Sequence, residues 1–225
     1  MIAEAASILQ ARPSSGSTKE EQPVVFVIDD DASVREALPD LLRSVGLATQ
    51  SFGTTQEFLQ SKRIDAPGCI VLDIRLPGMS GLDFQRTLAE VSIQLPVIFI
   101  TGHGDISMSV RAIKSGAIEF LTKPVREQEL LDAVQAGIER DRARRQKAKL
   151  VAGLEERLNS LTPREREILT IVITGRLNKQ IAAQLGLSET TVKVHRSEIK
   201  RKMQARSMIE LVRMADDLGI SSKSP

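Results

Sequence analysis

The sequence predicts two folds in series: an α/β, doubly wound, five-stranded parallel sheet, followed by an all-α module of four short helices. Three observations carry this expectation. From Pro23 onward, short runs rich in Val and Ile alternate with helix-period segments, the pattern of βαβ units around a parallel sheet. Three of those runs, 24–28, 69–72 and 96–100, are almost unbroken apolar, as strands buried on both faces must be. Beyond Leu161 the strand pattern stops and capped helical segments follow.

Residues 1–22 end in a stretch rich in Ser, Gly and Glu with little to bury, and are expected to form a flexible N-terminal extension. Strands are expected at 24–28, 47–52, 69–72, 96–100 and 118–121, with helices near 33–45, 54–61, 82–91 and 105–115 and another from Arg126. Together they make a first domain of residues 23–138. Its last helix carries Leu130, Leu131, Val134 and Ile138, then runs on without Gly, Pro or an apolar face. That composition predicts a solvated helical linker, 139–158. An apolar stripe resumes at Leu150, Leu154, Leu158 and Leu161. It reads either as a pairing seam between copies or as a helix packed inside its own domain.

The second domain, 159–219, opens on Thr162-Pro163-Arg164-Glu165, with Thr as N-cap, Pro at the first helical position and Glu at the third. Ile168, Leu169, Val172 and Ile173 follow, and Gly175 is expected to end that helix. Asn178 is expected to cap the next, 179–185, which stops at Gly186. Ser188 caps a third helix over 189–203, and 206–218 makes the fourth, before a tail at 220–225.

Composition narrows the function. The 225 residues are 41% hydrophobic, enough for ordinary cores, yet no apolar run approaches the ~20 residues a bilayer requires. No clear secretory pattern opens the chain, so a cytoplasmic protein is expected. Cys69 is the sole cysteine, which excludes an internal disulfide and a cysteine-based metal site. His103 and His195 are too scattered for zinc. Trp and Tyr are absent, which argues against an aromatic-lined ligand pocket. The net charge of +2 is unevenly spread: residues 1–137 hold 12 basic and 18 acidic side chains, whereas 151–225 hold 13 and 9. An acidic first part joined to a basic second part assigns polyanion binding to the second.

Parallel sheets of this kind place function at the carboxyl ends of their strands. Those ends carry Asp29-Asp30-Asp31, Asp73, Thr101-Gly102-His103 and Lys123-Pro124. Like charges 4 Å apart repel by about 4 kcal/mol at an effective dielectric of about 20, so Asp29, Asp30 and Asp73 together call for a cation. Oxygen donors without His or Cys select a hard ion, Mg²⁺ first. Lys123 adds a fixed positive charge and Thr101 a hydroxyl, a set that suits a phosphoryl group with Asp73 as nucleophile. Asp31 precedes a helix and reads as its cap.

The strings Ile28-Asp29-Asp30, Leu72-Asp73-Ile74-Arg75-Leu76-Pro77-Gly78-Met79-Ser80-Gly81, Ile100-Thr101-Gly102 and Lys123-Pro124 resemble those of the receiver domain of two-component response regulators, a flavodoxin-like fold. The Thr101–Asp105 string is similar to the FixJ-like subgroup; one departure is Val125, where Phe often follows Lys-Pro. The resemblance implies that Asp73 accepts a phosphoryl group from a sensor histidine kinase. It implies that Asp30, Asp73 and the backbone carbonyl of Arg75 ligate Mg²⁺, with Asp29 helping through water. Thr101 and Lys123 would contact the phosphoryl group, the peptide before Pro124 would be cis, and Phe120 would turn inward on activation. Arg75 and His103, two residues past Asp73 and Thr101, would flank the path of an attacking water, and their bulk is expected to slow self-hydrolysis.

The strings 161–169, 178–185 and 187–196 resemble the LuxR-type helix-turn-helix. By helical spacing Val192, Ile199 and Met203 form the core face of the third helix. Lys193, Val194, Arg196, Ser197 and Lys200 are expected on the other, where a helix carrying Lys and Arg beside small residues can enter a major groove. Lys193 and Arg196 are expected to read bases. Ser188, Thr190 and Thr191 at the helix start, with Lys179 and Arg201, are expected to touch phosphate. His195 reads as a packing residue. The expectation is a regulator that dimerises on phosphorylation, binds double-stranded promoter DNA and works with RNA polymerase. Two rivals fare worse. An aspartyl-phosphate hydrolase usually keeps a second Asp where Arg75 stands, and a small-molecule-sensing LuxR regulator carries an aromatic-rich ligand domain.

Overall fold

The structure, a computed structural model, describes residues 22–102 and 106–220. Residues 1–21 of the expected extension, 221–225 of the tail and His103 lie outside the described residues. The chain divides into two compact units, 1–142 and 143–225.

The first unit alternates β1 (Val24–Ile28), α1 (Ala32–Ser44), β2 (Ala48–Phe52), α2 (Thr55–Gln60), β3 (Gly68–Asp73), α3 (Gly81–Glu90), β4 (Val97–Thr101), α4 (Ile106–Lys114) and β5 (Glu119–Thr122), and continues into α5 (Glu127–Asn159). All strands are parallel, in the order β2-β1-β3-β4-β5. Both faces of the sheet are apolar because successive residues of β1, β3 and β4 serve opposite sides. Phe26, Ile70, Leu72 and Phe99 join Phe58 of α2 and Phe84 of α3 on one side. Val25, Val27, Val71, Ile98 and Ile100 join Leu42 of α1 and Leu130, Val134 and Ile138 of α5 on the other. Phe58 anchors the first side through edge-on contacts with Phe26, Phe52 and Phe84, ring centroids 5.4–5.8 Å apart.

The registers pair Ile28 with Leu72, Asp73 with Ile100 and Thr101 with Thr122. The carboxyl ends of β1, β3, β4 and β5 therefore finish along one edge of the sheet. The order reverses between β1 and β3, which opens a crevice at that edge.

The second unit holds α6 (Pro163–Val172), α7 (Asn178–Leu185), α8 (Glu189–Met203) and α9 (Met208–Asp217). Leu161, Ile168, Leu169, Ile181, Val192, Ile199, Met203 and Leu211 form its core. Leu158 packs against that core and Leu161 belongs to it, whereas Leu150 is 64% exposed. The end of the leucine stripe thus packs within its own unit. Thr162 and Glu165 form the expected capping box. Asn178 does not cap α7: the capping position falls to Leu177, and Asn178 is the first helical residue. The Asn178 side chain instead accepts a hydrogen bond from Arg196.

Candidate functional site

At the sheet edge, β1 delivers Asp29 and Asp30 and β3 delivers Asp73. One carboxylate oxygen from each lies within 4.8 Å of the others. Asp29 is fully buried, Asp73 is 6% exposed and Asp30 is exposed. The short turn after β5 brings in Lys123, whose Nζ donates to Asp29 Oδ2 at 2.7 Å and to Asp73 Oδ2 at 2.8 Å. Thr101 is fully buried at the end of β4. The Lys123–Pro124 peptide is cis.

Electrostatics follow from this placement. Burial pushes the Asp29 carboxyl above its ordinary value, against the hydrogen bonds from Lys123 and from the Asp31 amide. Burial also opposes the Lys123 charge, but the hydrogen bonds to Asp29 and Asp73 outweigh it and hold that ammonium above its ordinary range. Asp29 Oδ1 accepts from the Asp31 amide at 2.9 Å, and Asp73 Oδ1 accepts from the Arg75 amide at 3.0 Å. These bonds fix the two buried carboxylates and leave Asp30 the most open donor. A cluster of carboxylate oxygens without His or Cys is the donor set of a hard divalent cation, and this acidic cluster is typical of a Mg²⁺ site. Asp31 is the N-cap of α1, accepting from Ser33 N at 2.9 Å.

Close packing supports the site from below. A Cβ on Gly81 would lie 2.5 Å from the Asp73 carbonyl oxygen, so only glycine lets α3 begin this close to the end of β3. Phe120 is half-buried on β5 and packs against the core beside Phe99, its partner in register. Arg35, not anticipated from the sequence, donates from Nη1 to the Asp29 carbonyl oxygen at 2.7 Å. Its only signal was an arginine one turn into the helix that follows the acidic loop. The Arg75 side chain is exposed.

In the second unit α7 and α8 meet through the left-handed Gly186, at φ 63°, and Ser188 caps α8 by accepting from Thr191 N at 3.0 Å. The Ser188 and Thr191 hydroxyls also bond each other at 2.8 Å. Thr190, Lys193, Val194, Ser197 and Arg201 are exposed along α8, and Lys179 is exposed near the start of α7. Arg201 is held by Glu198 of its own helix at 2.7 Å. His195 is half-buried, in keeping with a packing residue. Arg196 and Lys200 depart from the expected exposed face: both are half-buried. The reason is geometric, since Arg196 stands four residues after buried Val192 and three before buried Ile199. Its Nη1 donates to Asn178 Oδ1 at 2.6 Å.

Fold and site define a class: a receiver-type α/β unit with an acidic cluster of Asp29, Asp30 and Asp73 at its sheet edge, joined to a helix-turn-helix module. The family described as "Response regulator receiver domain" matches residues 25–135, and "Bacterial regulatory proteins, luxR family" matches 159–215. Nodulation protein W of Bradyrhizobium diazoefficiens is 53% identical over 213 residues, 95% of this chain and 92% of that protein. Response regulator protein TodT of Pseudomonas putida is 49% identical over 87% of this chain and 86% of its own length. Among solved structures, the response regulator StyR aligns with a TM-score of 0.75 at 49% identity, covering 87% of this chain and 98% of that one. The chain belongs to the two-component response regulators of the FixJ, NodW and TodT type, transcription regulators with a LuxR-type DNA-binding domain and not enzymes. The receiver implies a histidine kinase as partner, and the helix-turn-helix implies DNA binding. Among the described residues no helix is long and apolar enough to cross a membrane.

Proposed function

We propose that Asp73 is the phosphoacceptor of this chain and that its phosphorylation, in the cytoplasm, promotes dimerisation and promoter binding. The observation that carries the reading is Lys123 standing between Asp29 and Asp73 at 2.7 and 2.8 Å, in a crevice that also holds Asp30 and ends beside buried Thr101. An Asp73 carboxylate oxygen attacks the phosphorus of the kinase's phosphohistidine. The new P–O bond forms as the P–N bond breaks, and the imidazole leaves with its electron pair. Lys123 needs only a short movement to pass from the Asp73 carboxylate to a phosphoryl oxygen, which keeps its charge on the transferring group. The Thr101 hydroxyl donates to another phosphoryl oxygen. Asp30, Asp73 and the Arg75 carbonyl would hold Mg²⁺, with Asp29 assisting, and the ion would supply charge neutralisation to the transferring group.

On the DNA side, Lys193, Val194 and Ser197 face bases, while Lys179, Thr190 and the start of α8 at Ser188 and Thr191 face phosphates. Lys200 and Arg201 flank the groove. RNA polymerase then engages the bound dimer. The test of the phosphoacceptor is labelling by acetyl phosphate. It requires Mg²⁺, is lost in Asp73→Asn and falls sharply in Asp30→Ala. Full labelling in EDTA, or undiminished labelling of Asp73→Asn, would overturn the reading.

A further inference from the structure

We infer that Arg196 is a positioning residue of the DNA-reading helix: it clamps α8 to the first residue of α7 and reads no base. The inference rests on the proposed reading of α7 and α8 as the DNA-binding pair, and it assigns Arg196 a role the sequence pattern does not suggest.

Three observations lead there. First, the guanidinium is already committed. Arg196 Nη1 donates to Asn178 Oδ1 at 2.6 Å, joining residues 18 apart in sequence, and both side chains are half-buried. A hydrogen bond to a charged donor is about twice as strong as a neutral one. Second, Arg196 leaves α8 on its packed side. It lines an apolar cleft with Val172, Ile173, Leu177, Met208 and Ile209, whereas Lys193, Val194 and Ser197 stand exposed on another face. To reach a base edge the side chain would have to abandon both Asn178 and this cleft. Third, the clamp completes a triangle. Arg164 Nη2 of α6 donates to the Leu185 carbonyl of α7 at 2.8 Å. Lys202 Nζ of α8 donates to Glu165 Oε2 of α6 at 2.6 Å. Arg196 to Asn178 is the third side, between α7 and α8. Each pair of these helices is thus joined by a polar link as well as by apolar packing.

The consequence is functional. Lys179 follows Asn178 directly, and Lys193, Val194 and Ser197 surround Arg196 in sequence. The clamp therefore sets the distance between a phosphate contact on α7 and the base contacts on α8. A rigid pair meets DNA with both sets aligned, while a loosened pair must order them on binding. Loss of the clamp weakens binding to every sequence alike. Loss of a base contact would change preference at one position, and loss of a phosphate contact would lower the salt slope by about 0.9.

The experiment uses the full chain with a phosphodonor and a randomised 30-base-pair duplex pool, followed by titration of the selected duplex and its single-base variants well below the melting range. Arg196→Ala is expected to bind all of them about tenfold more weakly, the size of one hydrogen bond to a charged group, with the same ranking and the same salt slope. Asn178→Ala, which leaves the arginine in place, is expected to give the same loss, and the double variant no further loss. The clamp is overturned by a relaxed preference at one base pair in Arg196→Ala alone, by a reduced salt slope, by additive losses in the double variant, or by melting-point losses with unchanged affinity. A wild-type chain that selects no duplex would instead overturn the DNA-binding reading itself.

Discussion

Cys69 shows how burial decides side-chain chemistry in this chain. It lies in the middle strand with no exposed surface, and a Cβ on Gly137 of α5 would come within 2.9 Å of its own Cβ. Burial, with the Asp141 carboxylate adding to it, pushes the thiol up to about 12. The reactive thiolate is therefore scarce as well as shielded. Native protein is expected to leave Cys69 unmodified by a disulfide reagent at pH 7.5 for hours, and denatured protein to react within minutes; rapid labelling of the native chain would contradict this packing. Gly81 supports a second prediction. Any side chain there meets the Asp73 carbonyl, so Gly81→Ala should destabilise the first unit by about 1–3 kcal/mol and slow labelling by acetyl phosphate. Denaturant melts and labelling rates check both. The strand-end residues Asp29, Asp30, Asp73, Thr101 and Lys123 were legible in the sequence because each follows an apolar strand. Arg35 and the inward turn of Arg196 were not, because an arginine on a helix gives no sign of which acceptor its long side chain will find.

Among the elements, strand and helix cores were legible from period, and their ends from capping residues such as Thr54, Ser80, Thr162, Ser188 and Ser207, each of which accepts from a backbone amide three residues on. Asn178 misled for a physical reason: the same amide that caps a helix also accepts from a neighbouring guanidinium, and the tertiary bond won. The reading of 150–161 left seam and self-packing open because a leucine stripe serves either: Leu158 and Leu161 pack within the second unit, whereas Leu150 stays exposed. The capping box of α6 carries a pH prediction. The hydrogen bond from Lys202, against the cost of burial and aided by the Thr162 amide, holds the Glu165 carboxyl below its ordinary 4.5. A depressed folded value means the stabilisation is whole above pH 4.5 and is lost as pH falls through the folded value. Glu165→Gln should therefore lower the stability of the second unit by about 1–3 kcal/mol at pH 7. The gap to wild type should narrow as pH falls below 4.5 toward the depressed folded value. Denaturant titrations followed by amide exchange in α6 and α8 read it; a gap independent of pH would refute the charge role.

For the whole molecule, the question is how a change at Asp73 reaches a DNA contact. A phosphoryl group adds about −1.5 to −2 charges at the end of β3. On the proposed reading, Thr101 at the end of β4 would turn to bond it, and the space it left would admit Phe120 of β5. Both residues flank α4, whose outer side carries Ile106, Val110 and Ile113 at helical spacing, with exposures of 84, 45 and 45%. If phosphorylation promotes dimerisation as proposed, this apolar stripe, with β5 and the start of α5, would be the surface on which two receivers pair. The helix that follows runs from Glu127 to Asn159. A single reader of four short helices makes few contacts, and pairing two readers raises avidity by about 10²–10⁴. Wild-type chain is therefore expected to shift from monomer to dimer with a phosphodonor and to gain operator affinity over that range. Asp73→Asn should stay largely monomeric and gain none. Val110→Glu should still take the phosphoryl group at Asp73 but fail to dimerise, which separates the chemistry from its transmission. Analytical ultracentrifugation with and without phosphodonor, followed by duplex titration, measures each step. A stable dimer of full affinity before phosphorylation, or undiminished dimerisation of Val110→Glu, would place the control elsewhere in the chain.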